Sequence, residues 1–476
     1  MTSQNDIDIA RRKKLDTIPK LIRHNFDQWA DEIAMSVKKP GRRKKYTWRQ
    51  YYETIGNLSM GLISLGLEKG DIVCIIGDNE PEWFWGEFAV QAAGGIPTGI
   101  FIDSTPSEVK YIARQSGAKF AVVKDQKQID KFLAIKNDLP ALKKIVYWDT
   151  SLKNTYDDHV LISFNDVVKL GKEYAETNPQ LYEQNIESGK GNDIAFVYYT
   201  SGKTGVPRGA KMSYRALFNN ANNFIARYPV TGKDNLASNF PAAVVSDNIF
   251  TIIPYLLTGA VLNFSAEPKI RQYEVLAGEI QNEITKAHSF KRFFYNLLLP
   301  VGYKLADSKI KNKTPNFLWR LLYYPSHYLL FRPFKKKLGI LNIRFAVTDG
   351  SVLSRNSLRF IYAFDVELIH GYASAETGLV CSTGRNDVDF ESAGRPTVNT
   401  EVRILNSGEL LVRSESMFIE YLNDPAKTAE VLIDDWYHTG ETSTINEKGH
   451  LVFLSHINDV IARTCRTKQS HGGVDS

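Results

Sequence analysis

The stretch from Tyr198 to Lys211 concentrates groups that bind anions, and it follows a short apolar run that predicts a buried strand. It reads Tyr198-Tyr-Thr-Ser-Gly-Lys-Thr-Gly-Val-Pro-Arg-Gly-Ala-Lys211. Its glycines permit positive φ angles, so that successive backbone N–H groups can point at one anion. Hydroxyl and cationic side chains add donors, and the contacting residues would be Thr200, Ser201, Gly202, Lys203, Thr204, Gly205, Arg208, Gly209 and Lys211. This composition predicts a loop that binds a polyphosphate.

Two other interpretations of this loop make different demands on the sequence. The triplet Gly202-Lys-Thr204 resembles part of a P-loop, but that motif needs a glycine five residues before Gly202, and position 197 is valine. The P-loop interpretation is therefore disfavoured. A glycine-rich turn exposed to solvent stays open as an alternative, although a plain turn does not require so many anion donors.

The loop needs a rigid frame, and the sequence around it predicts one. Short β-branched apolar runs such as 71–77, 120–123 and 343–347 predict buried strands. Helical patterns lie between them, for example Trp48 to Leu65, where Gly66 suits the end of a helix. Alternating strands and helices predict an α/β fold with a doubly wound sheet, whose ligands bind at the carboxyl ends of the strands.

The pattern of the sequence changes at about residue 401. Short strand patterns separated by Gly, Asn and Asp predict a small β-rich subdomain over 401–454. Residues 463–476 are polar and carry neither the helical nor the strand period, so they predict a disordered tail.

Composition excludes several classes of protein. With 476 residues, 43% hydrophobic and 24% charged, the chain is neither disordered nor fibrous. Its three cysteines are too few and too scattered for a disulfide framework, so a reducing, cytoplasmic compartment is expected. Residues 1–14 are polar and predict no signal peptide. No stretch has the roughly 18 consecutive apolar residues of a membrane-spanning helix.

The net charge of +6 is unevenly distributed. Residues 286–337 carry twelve Lys and Arg but one acid, Asp307, so this segment has a charge of +11 and the rest of the chain −5. The segment is also rich in apolar side chains, which predicts peripheral contact of 293–337 with the inner face of an anionic membrane. A helical insertion packed on the protein and a protein-binding surface are the alternatives. Charge confined to one segment predicts no nucleic-acid partner.

Two further motifs follow the loop. One is Gly371-Tyr-Ala-Ser-Ala-Glu-Thr377, and the other is Asp435-Trp-Tyr-His-Thr-Gly-Glu441. Together with the loop they resemble the signature motifs of the adenylate-forming, or AMP-binding, superfamily, in the same order. Lys203 and Arg208 depart from the Ser/Thr and Lys that are usual in the loop. Shorter motifs near the N-terminus, including Asn79-Glu-Pro-Glu-Trp83, resemble those of long-chain acyl-CoA synthetases.

The resemblance implies a fold, a reaction and its participants. The implied fold is a large adenylate-forming domain of α/β subdomains over 17–400, followed by the β-rich subdomain and a hinge remnant at 455–462. The implied reaction joins a long-chain fatty acid to ATP as an acyl-adenylate and then to coenzyme A. In this comparison Thr200, Lys203 and Glu376 are the catalytic residues.

The resemblance also implies how the nucleotide is held. The aromatic ring of Tyr372 would stack on adenine, and the Glu376 carboxylate would bind Mg²⁺ between the phosphates. The Glu441 carboxylate would accept hydrogen bonds from the ribose hydroxyls. A plain packing role for Tyr372 stays open. Ala375 stands where the family usually has a threonine, which removes one hydroxyl contact to the α-phosphate.

The sequence departs most from the superfamily at its end. Only the last aspartate of an Asp-Arg-x-x-Asp hinge motif is present in Ser455-His-Ile-Asn-Asp459, and seventeen residues follow it. The C-terminal α+β domain is therefore expected to be absent. ATP with Mg²⁺ is then expected to bind weakly, the acyl-adenylate to form slowly or not at all, and acyl-CoA not to form. A strand near 268–271 is also expected to be missing. The alternative is a non-catalytic nucleotide- or acyl-binding protein, or a membrane-associated pseudoenzyme.

Overall fold

The computed structural model describes residues 15–39, 42–152, 158–200, 206–264, 289–310, 314–337, 341, 343–349, 355–385, 387–389 and 391–456. The chain forms two compact units. Unit 1 comprises 1–267, 374–378 and 415–430, and unit 2 comprises 268–373, 379–414 and 431–476.

Helices and strands alternate through most of the described residues. The strands are β1 (Ile33–Lys39), β2 (Arg42–Thr47), β3 (Ile72–Ile76), β4 (Ile96–Ile100), β5 (Phe120–Val123), β6 (Lys144–Tyr147), β7 (Leu161–Ser163), β8 (Ile194–Tyr199), β9 (Gly209–Ser213), β10 (Asn235–Ala237), β11 (Val261–Phe264), β12 (Ala346–Asp349), β13 (Leu368–Ser374), β14 (Gly378–Ser382), β15 (Arg395–Pro396), β16 (Thr400–Ile404), β17 (Glu409–Ser414), β18 (Leu432–Ile433), β19 (Trp436–Ile445) and β20 (Leu451–His456).

The helices lie between these strands. They are α1 (Ile18–Trp29), α2 (Trp48–Ser64), α3 (Pro81–Ala92), α4 (Pro106–Ser116), α5 (Gln126–Ile135), α6 (Phe164–Thr177), α7 (Leu181–Ser188), α8 (Tyr214–Arg227), α9 (Val245–Asp247), α10 (Ile253–Thr258), α11 (Ser289–Ile310), α12 (Phe317–Ser326), α13 (Arg332–Lys337), α14 (Arg355–Ala363) and α15 (Pro425–Val431). Single π-helical turns, Asn248–Ile252 and His327–Phe331, join α9 to α10 and α12 to α13.

Unit 1 is built on a seven-stranded sheet with the order β7-β6-β5-β3-β4-β8-β9. The strands from β7 to β8 are parallel, and β9 returns antiparallel to β8. Every residue of β3 and β5 is buried, as expected for β-branched apolar strands in the middle of a parallel sheet. A second sheet of this unit has the order β10-β11-β1-β2.

Local sequence explains where several helices of unit 1 begin and end. Helices α2 and α4 each start with a capping box, in which Thr47 and Gln50, or Thr105 and Glu108, satisfy backbone N–H groups reciprocally. Helix α4 ends at Gly117, whose φ of 66° is left-handed. These caps fix the helices that cover the central sheet.

Unit 2 combines sheets with a helical layer. A four-stranded sheet of order β12-β13-β14-β15 lies largely in this unit, and β16 to β20 form an antiparallel sheet of order β16-β17-β19-β18 with β20 on β19. Helices α11, α12 and α14 and the turn before α13 share one apolar core, whose most buried members include Phe331, Ala306 and Leu368.

The predicted fold class is confirmed, because parallel sheets alternate with helices. The predicted strand at 120–123 matches β5, and the predicted strand at 343–347 begins later, at Ala346. The predicted tail, 463–476, and the predicted deletion near 268–271 lie outside the described residues. Within the described ranges, no helix is both long enough and apolar enough to cross a membrane.

Candidate functional site

The predicted phosphate loop joins β8 to β9, the last two strands in the order of the large sheet. The residues at its two ends, Thr200 and Arg208, are hydrogen-bonded to each other. The Thr200 N–H donates to the Arg208 carbonyl oxygen over 2.9 Å, and the Arg208 N–H donates to Thr200 Oγ1 over 3.1 Å. The middle of the loop lies outside the described residues, namely Ser201, Gly202, Lys203, Thr204 and Gly205.

Gly209 ends the loop, at a position that has no room for a side chain. A Cβ atom there would lie 2.7 Å from Cγ1 of Val197 on β8. Glycine therefore lets β9 lie closely along β8 and start the return strand immediately after the loop.

Residues 418–424, named here the edge segment, continue the large sheet beyond β9. The Lys211 N–H donates to the Glu420 carbonyl oxygen over 3.0 Å, and the Ile419 N–H donates to the Lys211 carbonyl oxygen over 2.8 Å. The Leu422 N–H donates to the Gly209 carbonyl oxygen over 2.7 Å. Because these bonds satisfy the free edge of β9, the edge segment has a fixed register against the loop.

Both described cations of the loop pair with acids of the edge segment. Nζ of Lys211 lies 2.6 Å from Oε1 of Glu420, and Nε of Arg208 lies 3.3 Å from Oδ2 of Asp424. Partly exposed pairs of this kind contribute only about 1 kcal/mol or less. A polyphosphate can therefore compete with these carboxylates for the two cations at small cost.

The Glu376 carboxylate lies against the same segment. The backbone carbonyl oxygen of Glu376 accepts a 2.7 Å hydrogen bond from the Phe418 N–H. Oε1 of the Glu376 side chain accepts a 2.9 Å hydrogen bond from the Tyr421 hydroxyl. The Glu376 N–H donates to Ser374 Oγ, which closes the turn after β13. The edge segment thus brings together Thr200, Arg208, Gly209, Lys211 and Glu376.

The donor set fits one hard divalent cation shared with a phosphate. Among the described residues, Oε2 of Glu376 accepts no hydrogen bond, so it is available as a ligand. No group of three or more His, Cys, Asp or Glu side chains in the described part of the chain is arranged to hold a metal ion alone. A cation at Glu376 would therefore take its other oxygens from phosphate and water, as Mg²⁺ commonly does.

Asn220 fixes the turn that carries Glu376. Its fully buried amide nitrogen donates to the Ser416 carbonyl oxygen over 2.8 Å and to the Ala216 carbonyl oxygen over 2.9 Å. Gly378 follows the turn with a φ of +60°, and a Cβ atom there would lie 2.3 Å from the Asn220 amide. Helix α8, the turn and the residues before the edge segment are therefore locked together.

Sequence reasoning missed three of these residues, Asn220, Glu420 and Tyr421. Each is an ordinary polar or aromatic residue with no motif around it that would mark it. The only signal for the edge segment was the adjoining Asp424-Pro-Ala-Lys-Thr428, which matches a landmark of the superfamily.

Tyr372 and Glu441 belong to unit 2. The Tyr372 ring packs on Phe453, with ring centroids 4.2 Å apart and planes at 34°, so a packing role stays open for it. Glu441 lies on β19, where its N–H donates to Thr439 Oγ1 over 3.0 Å. Both side chains are half-buried.

Unit 2 also contains a hydrogen-bonded Ser-His-Asp network, whose serine and histidine are buried. Oγ of Ser392 lies 2.9 Å from Nδ1 of His450, and Nε2 of His450 lies 2.9 Å from Oδ1 of Asp387. Burial raises the pKa of Asp387, but hydrogen bonds from Arg395 and His450 outweigh burial and leave this pKa below its usual value. Because Ser392 is only 1% exposed, a substrate carbonyl cannot reach it. The three hydrogen-bonded residues are therefore a structural network.

Two buried carboxyl groups lie elsewhere in unit 1. Burial, helped by the charge of Asp247, raises the pKa of Glu87 to about 8, while Asn248 and Trp83 oppose this rise. Burial raises the pKa of Asp247 to about 7 against the hydrogen bonds of Ser238 and Thr251.

Comparison with known proteins shows the family. The chain belongs to the AMP-binding enzyme family, which matches residues 22–422 and so includes the loop, Tyr372 and Glu376. It is 25% identical over 487 residues to the long-chain-fatty-acid–CoA ligase ACSBG2 of Xenopus laevis, covering 96% of this chain and 65% of that relative. The chain thus spans just under two-thirds of the length of the relative.

Solved structures show the same fold. The anthranilate CoA ligase AuaEII in complex with anthranoyl-AMP superposes with a TM-score of 0.70 at 18% identity, over 93% of this chain and 78% of that one. The inhibitor-bound N-terminal domain of FACL13 from Mycobacterium tuberculosis has a TM-score of 0.67 at 19% identity, over 92% and 99% of the two chains. The family predicted from the motifs is confirmed.

Proposed function

We propose that this chain activates a long-chain fatty acid with ATP for transfer to coenzyme A. One observation carries the proposal: the edge segment gathers Arg208, Lys211 and Glu376 at the end of β8, beside the predicted phosphate loop. Family membership supports the adenylate chemistry, and the names of the relatives support a fatty acid and coenzyme A as substrates. A related ligase has been crystallised with an acyl-AMP, the product of the proposed first step.

The proposed reaction has two balanced steps. A carboxylate oxygen attacks the α-phosphorus of ATP, the bond to pyrophosphate breaks, and an acyl-adenylate forms. The sulfur of coenzyme A then attacks the acyl carbonyl, AMP leaves with the bonding electrons, and the thiol proton is lost to solvent. Because two anions meet in the first step, electrostatic stabilisation and positioning are the main tasks of the protein.

Residues of the loop and of the edge segment divide these tasks. The backbone and hydroxyls from Thr200 to Gly205 hold the β- and γ-phosphates, with Lys203 as a cation in place of the usual hydroxyl. Arg208 and Lys211 exchange their carboxylate partners for phosphate oxygens. Glu376 would hold Mg²⁺, which would supply positive charge to offset that of the phosphates.

Tyr372 and Glu441 are the residues proposed to bind the nucleoside. The aromatic face of Tyr372 stacks on adenine, and the Glu441 carboxylate accepts hydrogen bonds from the ribose hydroxyls. Glu441 replaces the aspartate of the superfamily and is one methylene longer. Replacing Tyr372 by leucine would weaken ATP binding if it stacks on adenine, and would alter only stability if it is a packing residue.

A binding experiment tests the site. Calorimetric titration with ATP in the presence of Mg²⁺ is expected to show binding at least tenfold weaker for Glu376→Ala than for the parent chain, because the carboxylate ligand is lost. Glu430→Ala is the matched control, since Glu430 is an exposed acid of unit 1 that pairs with Lys427, outside the site. Equal affinity in Glu376→Ala and Glu430→Ala would contradict the assignment.

Impaired turnover stays a prediction for the 476-residue chain. It is supported by substitutions inside the motifs: Lys203 for a hydroxyl, Ala375 for threonine and His456 for arginine. Pyrophosphate release in the presence of ATP, Mg²⁺ and palmitate measures the first step, and palmitoyl-CoA formation measures the second. Rapid palmitoyl-CoA formation would overturn the prediction.

The second candidate function is a nucleotide- or acyl-binding protein without catalysis. It is favoured if ATP binds and depends on Glu376, while pyrophosphate is not released above the buffer rate. Residues 293–337 are proposed, in either case, to contact a membrane at which a long-chain acid is dissolved.

A further inference from the structure

Unit 2 contains a long helical segment, named here the outer helix, which is buried on one side and exposed on the other. It consists of α12, the π-helical turn His327–Phe331 and α13. One side packs on the unit through Ser326, Leu330 and Phe331, each less than 5% exposed. The outer helix is therefore anchored by one side and presents the other to its surroundings.

The outward side is apolar, against the usual pattern of a surface helix. Nine of the fifteen large apolar side chains that are exposed in the described residues lie between 293 and 329. Seven of them, named here the apolar face, are on the outer helix: Phe317, Leu318, Leu321, Leu322, Tyr324, Tyr328 and Leu329. Phe317 is 76% exposed and Tyr324 65%, so core packing does not explain them.

Helix α11, which packs beside the outer helix, adds the remaining two exposed apolar side chains. Phe293 and Leu297 are 62% and 56% exposed and lie four residues apart, so they share one side of α11. Exposed apolar side chains therefore lie on both of these packed helices.

Positive charge surrounds this surface. Arg320, Arg332 and Lys336 on the outer helix and Arg292 on α11 are exposed. The single acid of the segment, Asp307, is held by Arg359 through two hydrogen bonds of 2.7 and 2.6 Å, so it does not offset these charges. Arginine and lysine beside apolar side chains can extend to the headgroups while their stems stay in contact with lipid.

We propose that the outer helix lies in the plane of an anionic membrane, with the apolar face among the acyl chains. Its arginines and lysine then contact lipid phosphates. This inference deepens the proposed function, because it places the chain where a long-chain fatty acid is dissolved. The helix rests on the surface, and its insertion depends on both apolar area and charge.

Charge argues against a second copy of the chain as the occupant. Two outer helices placed face to face would oppose Arg320, Arg332 and Lys336 of one copy to those of the other. Like charges brought together across an interface are unfavourable. An acidic protein partner could pair with the arginines and the lysine. Its binding to the apolar face would not depend on lipid, however, and lipid dependence therefore distinguishes it from a membrane.

Co-sedimentation with vesicles tests the proposal. The probes are vesicles of phosphatidylcholine alone and vesicles with one-third phosphatidylglycerol, at low and high salt. The parent chain is expected to bind the anionic vesicles and to lose binding at high salt. Replacing Arg320, Arg332 and Lys336 together by glutamine is expected to lower partitioning roughly 100-fold, at about fivefold for each charge.

The apolar contribution is tested separately. The triple variant Phe317→Ser, Leu321→Ser, Leu329→Ser keeps every charge and is expected to lower partitioning at least about tenfold. Val398→Ser, an exposed apolar residue of unit 2 outside the outer helix, is the matched control and should bind like the parent. Thermal unfolding shows that the variants remain folded.

Four results would overturn the proposal. They are absence of binding to anionic vesicles, unchanged binding in both triple variants, binding that does not depend on anionic lipid, and a dimer in solution that the serine variant dissociates. ATP binding without vesicles is measured on the same variants. Because none of the substituted residues is in the proposed nucleotide site, vesicle binding and ATP binding can fail independently.

Discussion

In most proteins polar side chains are exposed and apolar side chains are buried, and the two units contain different exceptions to this rule. Unit 1 buries polar groups, including Glu87, Asp247 and Asn220, each fully enclosed. Unit 2 exposes apolar groups, most of them on the outer helix. Buried polar groups cost stability unless they are bonded or neutralised, whereas exposed apolar groups cost little in folding and leave a surface that associates. The first departure is therefore expected to affect stability, and the second to affect binding.

The largest expected effect is a pH dependence of stability that Glu87 creates. Its pKa is about 8 in the folded chain and 4.5 when unperturbed, so between these values the folded state holds a proton that the unfolded state has released. The contribution of Glu87 to the free energy of unfolding is thus fully present below about pH 4.5. It falls as pH rises towards 8, by up to about 1.4 kcal/mol per pH unit. Asp247, raised from 3.8 to about 7, acts with the same sign.

Denaturant unfolding from pH 5 to 8 checks this dependence. Glu87→Gln keeps the shape without the titration, so it should flatten the slope and stabilise the chain most at pH 8. Glu82→Gln, a substitution on the same helix, is the control. An unchanged slope in Glu87→Gln would show that the carboxyl group is ionised in the fold.

The next effect is expected at Gly378, in the turn that carries Glu376. Gly378→Ala combines a left-handed φ with a clash against the buried Asn220 amide and should lower the free energy of unfolding by about 3 kcal/mol. Gly117→Ala is the control, because its φ is also left-handed but its Cβ atom would meet nothing within 4 Å. It should cost only about 1 kcal/mol. Similar losses in thermal unfolding of the two variants would contradict the clash.

A smaller effect is expected from Tyr421, which positions Glu376. Tyr421→Phe removes the 2.9 Å hydrogen bond to the carboxylate, worth about 1 kcal/mol. The Mg²⁺ concentration that supports half-maximal ATP binding should rise roughly fivefold, with little change in unfolding temperature. Tyr174→Phe, on α6 of the same unit, should leave both unchanged. A loss of stability without a shift in the Mg²⁺ titration would make Tyr421 a purely structural residue.

The smallest effect is expected on the apolar face. Leu321→Ala should change the free energy of unfolding by less than about 0.5 kcal/mol, because Leu321 is 55% exposed. Leu330→Ala removes the same side chain from the 4% exposed inner side and should cost about 2–4 kcal/mol. Equal losses would mean that the apolar face is covered, and would remove the contrast between the two sides.

Much of the site could be predicted only as a set of residue types. The glycines, hydroxyls and cations between Thr200 and Lys211 indicated a phosphate loop, because local composition is sufficient for that inference. The pairing of β9 with the edge segment was not predictable, since about 210 residues separate Lys211 from Glu420 and neither residue specifies its partner. The sequence therefore contained no sign that Arg208 and Lys211 each pair with a carboxylate.

The sequence by itself determined the fold class and the family and predicted a phosphate loop, because periodic apolar runs and clustered motifs are local properties of the chain. It also determined that 286–337 is both basic and apolar. Only the tertiary structure decided which side of the outer helix is buried and which acids and hydroxyls surround Arg208, Lys211 and Glu376. Burial and pairing depend on residues distant in the chain, and long-range packing alone brings those residues together.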